Sequence, residues 1–435
     1  MGDIWTSALV IALCVLAVAI LLTMARRREA LTFLVGVSAG LFGIQLFDVH
    51  VFTILLLIWT VTSPRRVTNK AVAAATTIVV AASLLALTAF TGDLVNSPTL
   101  GLQLVAMAVS AGLLVLKSTS RDIQVMLFGL LATCSAASVW AVLQVAGIVP
   151  TELFHLNVSA AGRPNGLYPE PDWMGMFAGI GLVLAWRLPL GSMLRIGLFT
   201  VNGLAFVLAF ARAAWVAVAV SVIAALVLTW IVEARAGRNG ELPKRMRTGG
   251  RKRALLAFAG AGFIAIISLP SLADDLILRL SRTLVAHESD VSAQARVQQN
   301  DSLAFLAQTS PWYGHGISSS GRVGVSGIID YGEARNNVGS NWVVSMWVDG
   351  AWLSVALIAL LIGVSIVCAR SIPGQLLVIV LLNSFFSNVI YQPVTWLALG
   401  LSVAILLLSR EKEAVSAEMP TIVRSNPNWF GAPAR

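Results

Sequence analysis

Residues 71–91 read AVAAATTIVVAASLLALTAFT, a run without a single charged side chain. A helix of about 20 residues spans the roughly 30 Å of a bilayer's hydrocarbon core. Runs of this kind recur along a chain that is 57% hydrophobic and 12% charged, with a mean hydropathy of +0.83. A soluble chain would carry about twice that share of charge. The sequence therefore predicts an all-α, polytopic membrane protein.

The apolar runs predict about thirteen transmembrane helices, or twelve if the short second and third form one re-entrant pair. The expected spans are 4–24, 31–47, 49–63, 71–91, 100–117, 124–148, 172–189, 194–211, 213–231, 254–273, 343–368, 374–391 and 394–409. Basic clusters fall at alternate connections. The positive-inside rule then places the N-terminus outside and the C-terminus in the cytoplasm.

This topology makes residues 1–410 one transmembrane domain with two long outward loops, 149–171 and 274–342. Within the second loop, a helix is expected over 293–307, and the glycine-rich stretch 314–327 is expected to be a mobile lid or a flexible linker. The polar tail 411–435, which contains Pro and Gly, is expected to be disordered and cytoplasmic.

The basic residues divide unequally between the two faces. Of the 30 Lys and Arg, 23 fall on the cytoplasmic side, and the seven outward ones are all Arg: Arg163, Arg212, Arg279, Arg282, Arg296, Arg322 and Arg335. Arg binds phosphate oxygens in pairs, whereas Lys offers a point charge. The outer face is therefore expected to bind an anionic, phosphorylated substrate, although the excess of Arg over Lys in the whole chain also produces such a bias. The net charge of +9 indicates contact with anionic lipid and not with nucleic acid.

Three outward segments carry the main candidates for binding the anionic substrate, and each candidate also has a simpler structural explanation. Arg212 lies between two apolar spans, where a charge is costly unless it pairs or meets a water-filled cavity; the alternative is snorkelling to the interface. Arg296 is a binding residue or a solvated loop Arg, and Arg163 a binding residue or part of a turn. The segments are 162–173, 209–215 and 292–316.

Other outward side chains could assist. Glu170 or Asp172 could act as a general base for a sugar hydroxyl, unless Asp172 only caps its helix. Asp349 is expected to have an Arg partner. Further candidates for substrate binding are His315, Asn341 and Trp312. Trp312 and Trp342 could stack on sugar rings, or they could belong to an interfacial belt of aromatic residues. Arg279 and Arg282 are also candidates for substrate binding, but they could equally contact lipid headgroups.

The three cysteines, Cys14, Cys134 and Cys368, all fall within apolar spans. They offer neither a disulfide framework nor metal-ligand spacing. We therefore expect no metal and no cofactor.

These outward segments, in this order, resemble the O-antigen ligase and O-antigen polymerase superfamily over roughly residues 70–410. The family's Arg-x-x-Gly-Leu-(Phe/Tyr) stretch reads Arg163-Pro-Asn-Gly166-Leu-Tyr-Pro-Glu170-Pro171 here, and its second stretch reads Ala211-Arg212-Ala-Ala-Trp215. The Ser-x-x-x-Arg helix and Pro-x-x-Gly-x-Gly turn match 292–296 and 311–316. The family's His-Asn pair is matched by Ser340-Asn341, followed by Asp349-Gly350. Ser340 thus stands where ligases of the family use a histidine.

The resemblance implies an inverting, metal-independent membrane glycosyltransferase of the GT-C type. Such an enzyme moves glycan from a polyprenyl-diphosphate carrier to an acceptor sugar hydroxyl, with Arg212 and Arg296 at the diphosphate, Arg163 assisting and Glu170 at the acceptor. Since the ligase histidine is missing, a polysaccharide polymerase is favoured over a ligase. A transporter or flippase of lipid-linked glycans is a third hypothesis, but no internal repeat supports it. Expected partners are the lipid-linked oligosaccharide, membrane lipid and acceptor glycan, with a chain-length regulator or a flippase as candidate protein partners.

Overall fold

The computed structural model describes residues 28–41, 44–46, 48–63, 67–149, 162–238, 291–324, 328–330 and 338–424. The predicted spans 4–24 and 254–273 lie outside these residues. So do the candidate residues Arg279 and Arg282.

Helices account for most of the described chain, so the all-α prediction is confirmed. The elements are α1 Arg28–Gly40, β1 Gln45–Leu46, β2 Val49–His50, α2 Val51–Thr62, α3 Asn69–Ala86, α4 Thr88–Thr91, α5 Pro98–Lys117, α6 Ser120–Val145, α7 Pro171–Arg187, α8 Ser192–Leu208, α9 Arg212–Arg238, α10 Val291–Thr309, α11 Trp342–Gly350, α12 Val355–Cys368, α13 Ile372–Asn383 and α14 Pro393–Arg424. Short 3-10 turns occupy Ser319–Arg322 and Ala351–Leu353. Most of these helices begin and end within a few residues of the predicted spans.

Three predictions need correction. The predicted span 343–368 is two helices, because Ala351 adopts a positive φ of 40° and a 3-10 turn follows α11. The predicted span 374–391 ends at Asn383, where the chain leaves the helix. The last helix, α14, continues to Arg424, whereas disorder was expected from residue 411. Residues 411–418 are mostly strong helix formers, which carry the helix on.

Basic connections meet at one end of the bundle. Arg28 at the start of α1 donates to Asp122 of α6 at 2.6 Å, and Asp122 also completes the N-terminal capping box of α6 with Thr119. Arg187 at the end of α7 donates to Gln375 of α13 and to the Arg370 carbonyl. The alternation of basic clusters along the sequence therefore corresponds to one face of the folded bundle, which we call the basic end.

The remaining connections meet at the opposite end, which we call the site end. There the β1–β2 hairpin, which connects α1 to α2, contacts α5, since Gln103 donates to the Asp48 carbonyl. The Gly162–Glu170 segment lies on α1 and α6, and the 310–324 segment lies between the 91–97 loop and α11. All outward motifs of the described chain are thus gathered at this end.

Small and polar residues bring the helices together inside the bundle. A Cβ on Gly36 would collide with the Met126 backbone, and one on Gly129 with the Phe33 carbonyl, so α1 and α6 pack backbone to backbone. Between α6 and α8, the fully buried Asn202 donates to Ser135 and accepts from Ser138. Close packing at small residues and interhelical hydrogen bonds are typical of helices in lipid.

Five of the described helical segments are long and apolar enough to cross a membrane: 69–91, 98–117, 120–145, 212–232 and 393–411. Shorter apolar helices accompany them, among them α2, α8, α12 and α13. Together with the composition of the chain, these segments define an integral, multi-pass membrane protein.

Candidate functional site

The first outward motif folds into a compact turn at the site end. Gly166 has a φ of 61°, and a Cβ there would collide with Met174 and crowd the Ala137 carbonyl. Its backbone N–H donates to Gln144 at 2.9 Å. The buried Tyr168 stacks on Phe177 and donates from its hydroxyl to the Gly40 carbonyl at 3.2 Å. The Gly-Leu-Tyr part of the motif therefore anchors the loop in the bundle.

Arg163 connects the first motif to the second. Its Nη2 lies 2.5 Å from Oδ1 of Asp172, and its Nε donates to the Ala209 carbonyl at 2.8 Å. Both side chains of the ion pair are mostly buried. Glu170, not Asp172, occupies the N-cap position of α7, and the Asp172 carboxylate accepts from Arg163. Arg163 fixes the 162–170 turn onto the connection between α8 and α9.

A glycine permits the closest approach of the two motifs. A Cβ on Gly175 of α7 would collide with the Cβ of Ala211, immediately before α9. The chain reaches α9 through Phe210, which has a positive φ of 47°. Arg212 is the first residue of α9 and is exposed at the site end.

Two helix N-termini consequently lie side by side next to Arg163 and Arg212. At α7 the N-cap residue, Glu170, makes no side-chain hydrogen bond to the cap, and Glu170 is exposed. At α9 the preceding residue, Ala211, carries no side-chain oxygen with which to cap the helix. Helix N-termini carry partial positive charge and unpaired N–H groups. With the guanidinium of Arg212, this corner is suited to an anion such as a phosphate.

The glycine-rich stretch forms a second, buried cluster. Gly314 and Gly316 have φ values of 86° and 100°, and a Cβ on either would collide with backbone: Asp349 for Gly314 and Val95 for Gly316. Ser318, Ser319 and Ser320 are fully buried. The described part of this stretch is thus packed against the 91–97 loop and α11, not open as expected of a lid or linker, because its glycines permit close backbone contact.

Asp349 lies at the centre of this cluster. Its carboxylate accepts from the Ser320 backbone N–H at 2.7 Å and from the Ser320 hydroxyl at 3.1 Å. Burial raises the pKa of Asp349 to about 7, and hydrogen bonds from the Ser318–Ser320 segment oppose the shift. Asp349 lies on α11, which has nine residues and is not one of the five segments long and apolar enough to cross a membrane. The hydrogen-bond donors that hold it are serine groups, where an Arg partner had been predicted.

The remaining candidates have mixed outcomes. Asn341 is the N-cap of α11 and accepts from the N–H groups of Val343 and Val344, so its oxygen is occupied in a structural role. Trp312 is 67% exposed and remains available to stack on a ring. Trp342 is 1% exposed and packs on Phe385, so it cannot stack on a substrate sugar.

The structure describes the side chain of His315 but not that of Arg296. Both ring nitrogens of His315 lie near acceptors of the chain itself: Nδ1 is 2.9 Å from Asp93 and Nε2 is 3.1 Å from the Leu306 carbonyl. Arg296 lies in α10, as the predicted helix 293–307 requires, but its side chain is outside the described part.

Two residues that bond the candidates in this region could not be predicted from the sequence. Gln299, three residues after Arg296, accepts from Ser340 at 2.9 Å and donates to the Val323 carbonyl. Asp93 lies in a short loop far away in sequence, so no spacing pattern connects it to His315. No group of three or more His, Cys, Asp or Glu residues suited to a metal occurs in the described part of the chain.

The geometry thus describes a helical, multi-pass membrane protein with an arginine-bearing corner at two helix N-termini and a buried carboxylate at the same end. Comparison with known proteins found no matching family model, no matching curated protein and no matching solved structure. The class of the protein therefore rests on its composition and its helices.

Proposed function

We propose that this chain is a bacterial inner-membrane polysaccharide polymerase of the O-antigen polymerase and ligase type. It would extend a glycan by transfer from a polyprenyl-diphosphate carrier to an acceptor sugar hydroxyl on the outer face. The observation that carries the proposal is the contact between the two arginine motifs. Arg163 donates to the carbonyl of Ala209, which lies 46 residues later in the sequence and shortly before Arg212. The resemblance supplies the reaction, and this corner supplies a place for its leaving group.

The chemistry needs positive charge where the bond breaks. The acceptor hydroxyl oxygen attacks the anomeric carbon of the donor glycan from the face opposite the diphosphate, and the carbon–oxygen bond to the diphosphate breaks. The lipid diphosphate then leaves with the bonding electrons, and a base takes the hydroxyl proton. Fixed donors aimed at the developing charge stabilise such a transition state. Arg212 and the N-termini of α7 and α9 are placed to bind the diphosphate.

The other residues then take distinct roles. Glu170, exposed at the start of α7 and beside this corner, is the candidate base. Arg163 and Asp172 bond each other, so we assign them to positioning the corner and not to contact with the reacting atoms. Arg296 on α10 is a further candidate for the carrier, and the exposed Trp312 for a sugar ring.

A polymerase is favoured over a ligase by one position. Ser340 stands in place of the ligase histidine, and its hydroxyl donates to Gln299. His315, the nearby histidine that could substitute, is bonded through both ring nitrogens to the chain's own groups. Transfer of finished glycan to another acceptor is the second candidate, and the genetic experiment separates the two.

The experiment deletes the gene in its host, sizes the surface glycan on a gel, and complements with variants. We expect single repeat units in the deletion, full rescue by wild type, and a loss of about 10²–10³-fold in extension with Arg212→Lys, because Lys cannot replace the bidentate fork. The matched control is Arg121→Lys, an exposed pair with Glu29 at the basic end, which should rescue fully.

Two results would contradict the proposal. Full-length glycan accumulating on its lipid carrier in the deletion would identify a ligase. Glycan of normal length and location in the deletion would exclude both enzymes.

A further inference from the structure

Buried polar atoms without a hydrogen-bond partner concentrate where the start of α11 meets the 383–392 segment, which joins the end of α13 to α14. Within the described part of the chain, five side chains here carry such atoms: Trp342 at Nε1, Ser345 at Oγ, Asn383 at both amide atoms, Tyr391 at its hydroxyl and Gln392 at Oε1. Folded proteins pair nearly all buried polar groups, because an unpaired one destabilises the fold. A concentration of five in one place therefore points to a function.

The two segments that carry these atoms lie in direct contact. The Trp342 backbone N–H donates to the Ser384 carbonyl at 3.1 Å, and the Asn388 amide donates to the Gly339 carbonyl at 3.1 Å. Trp342 and Ser345 lie three residues apart and so share one face of α11. The unpaired atoms therefore belong to a single contact, which we call the 342/383 interface.

The end of α13 lies at the depth of the Arg212 corner. Helix α9 starts at the site end, α13 runs in the opposite direction, and the Ser221 hydroxyl of α9 donates to the Gln375 carbonyl of α13 at 3.1 Å. Arg212 lies nine residues before Ser221, and Asn383 lies eight residues after Gln375. At the rise of a helix, each is about 12–14 Å from this bond toward the site end. Asn383 is thus level with the residue to which we assign the diphosphate.

We propose that the 342/383 interface is a glycan-binding subsite that opens to take an uncharged part of the acceptor glycan; the identity of the ligand rests on the proposed function. The unpaired atoms offer both kinds of hydrogen bond: the indole N–H donates, Gln392 Oε1 accepts, and the Asn383 amide and the two hydroxyls do both. Sugar hydroxyls also donate and accept. None of the five side chains is cationic, so the set suits a neutral sugar better than a phosphate.

Binding requires the two segments to part, because Asn383 has no exposed surface and Trp342 is almost completely buried. Parting breaks the hydrogen bonds that join α11 and Gly339 to the 383–392 segment, but it also frees five groups to find partners. A ligand that bonds these groups only in the open arrangement shifts the protein toward it. Phe385 and Phe386 are exposed, so this segment reaches the protein surface.

The first test compares two fully buried asparagines by thermal unfolding of the full-length protein in detergent. Within the described chain, the Asn383 amide has no partner, whereas Asn202 bonds two serines of α6. Leucine has nearly the shape of asparagine but forms no side-chain hydrogen bond. We therefore expect Asn383→Leu to raise Tm by a few degrees and Asn202→Leu to lower it. A fall in Tm for Asn383→Leu would mean that its amide is bonded in the free protein and would overturn the proposal.

The second test measures glycan binding without glycan transfer. The probe is the repeat-unit oligosaccharide, released by mild acid from the lipid carrier of the deletion strain. We expect it to raise the Tm of wild type and of Arg212→Lys by a few degrees, because a ligand that binds the folded protein stabilises it. Asn383→Leu should lose this shift, and the control Arg121→Lys should keep it. No shift in wild type, or an equal shift in Asn383→Leu, would overturn the proposal.

The subsite and the proposed reaction fail in different ways. Glycan extension by wild type together with an unchanged oligosaccharide shift in Asn383→Leu would remove the subsite and leave the polymerase. An oligosaccharide shift that depends on Asn383, without glycan extension, would leave a glycan-binding membrane protein and remove the polymerase.

Discussion

At the scale of single residues, Asp349 is a carboxyl group buried completely inside the protein. A carboxyl group with no exposed surface is stable only when its oxygens are bonded or its proton is kept. Ser320 supplies two donors, and burial still raises the pKa to about 7. The fold therefore holds this group near the point where it changes charge under physiological conditions.

This position predicts a pH dependence with a definite sign. Because the folded-state pKa lies above the ordinary value of 3.8, the folded protein binds more protons than the unfolded chain between about pH 4 and 7. Stability from this group is greatest at low pH and is lost as the pH rises through about 7. Wild type should lose several degrees of Tm between pH 5 and pH 8, and Asp349→Asn clearly less.

The matched control for Asp349 is Asp301→Asn, an exposed carboxyl on α10. It should leave the pH profile of Tm as in the wild type. Parallel profiles for wild type and Asp349→Asn would contradict the account of this residue.

The same residue shows where sequence reasoning stops. The cost of a carboxylate at Asp349 was predictable, because an acid within an apolar stretch needs a partner. The identity of the partner was not, since Ser320 is 29 residues away and is presented by a turn with Ser318 at a positive φ of 85°. Arg163 and Asp172, only nine residues apart, were predicted as separate candidates, and the structure shows that they bond each other.

At the scale of helices, polar contacts decide which pairs pack. Asn202 of α8 bonds Ser135 and Ser138 of α6, and a Cβ on Gly181 of α7 would collide with its side chain. One side chain therefore joins three helices in the bundle. Hydropathy predicts such helices well but not their neighbours, because every helix in lipid is apolar on most of its surface.

We expect Asn202→Ala to destabilise the protein by about 1–2 kcal/mol, from two interhelical hydrogen bonds and a small cavity. Thermal unfolding in detergent measures this as a fall in Tm. The control is Thr229→Ala, whose hydroxyl bonds the Ala225 carbonyl within its own helix and should matter little. An unchanged Tm for Asn202→Ala would show that the contact between α6 and α8 does not depend on this side chain.

At the scale of the whole molecule, charge distinguishes the two ends. Among the side chains that the structure describes, the basic end carries Arg28, Lys70, Lys117, Arg121, Arg187, Arg195, Arg370 and Arg410, and the site end carries Arg163, Arg212 and Arg322. The positive-inside rule predicts that the basic end faces the cytoplasm. The sequence predicted the membrane class, most helices and this alternation, since all three follow from composition and periodicity. It did not predict the packed 314–324 stretch or the split at Ala351, which depend on contacts between distant segments.

The orientation is tested with single cysteines in a cysteine-free background. Trp312→Cys lies at the site end and Ser409→Cys at the basic end, near the end of the 393–411 segment, and both positions are exposed. A membrane-impermeant maleimide should label Trp312→Cys in intact cells and Ser409→Cys only after permeabilisation. The reverse pattern would place the proposed site in the cytoplasm and remove its access to an outward lipid-linked glycan.

The central claim is that this chain elongates a lipid-linked glycan. The most direct measurement reconstitutes the purified protein in liposomes with lipid-linked oligosaccharide extracted from the deletion strain, and resolves the products on a gel. The account predicts a ladder of integer multiples of the repeat unit with wild type, and a ladder weakened about 10²–10³-fold with Arg212→Lys. Unextended oligosaccharide with folded wild-type protein, or equal ladders from both proteins, would contradict it.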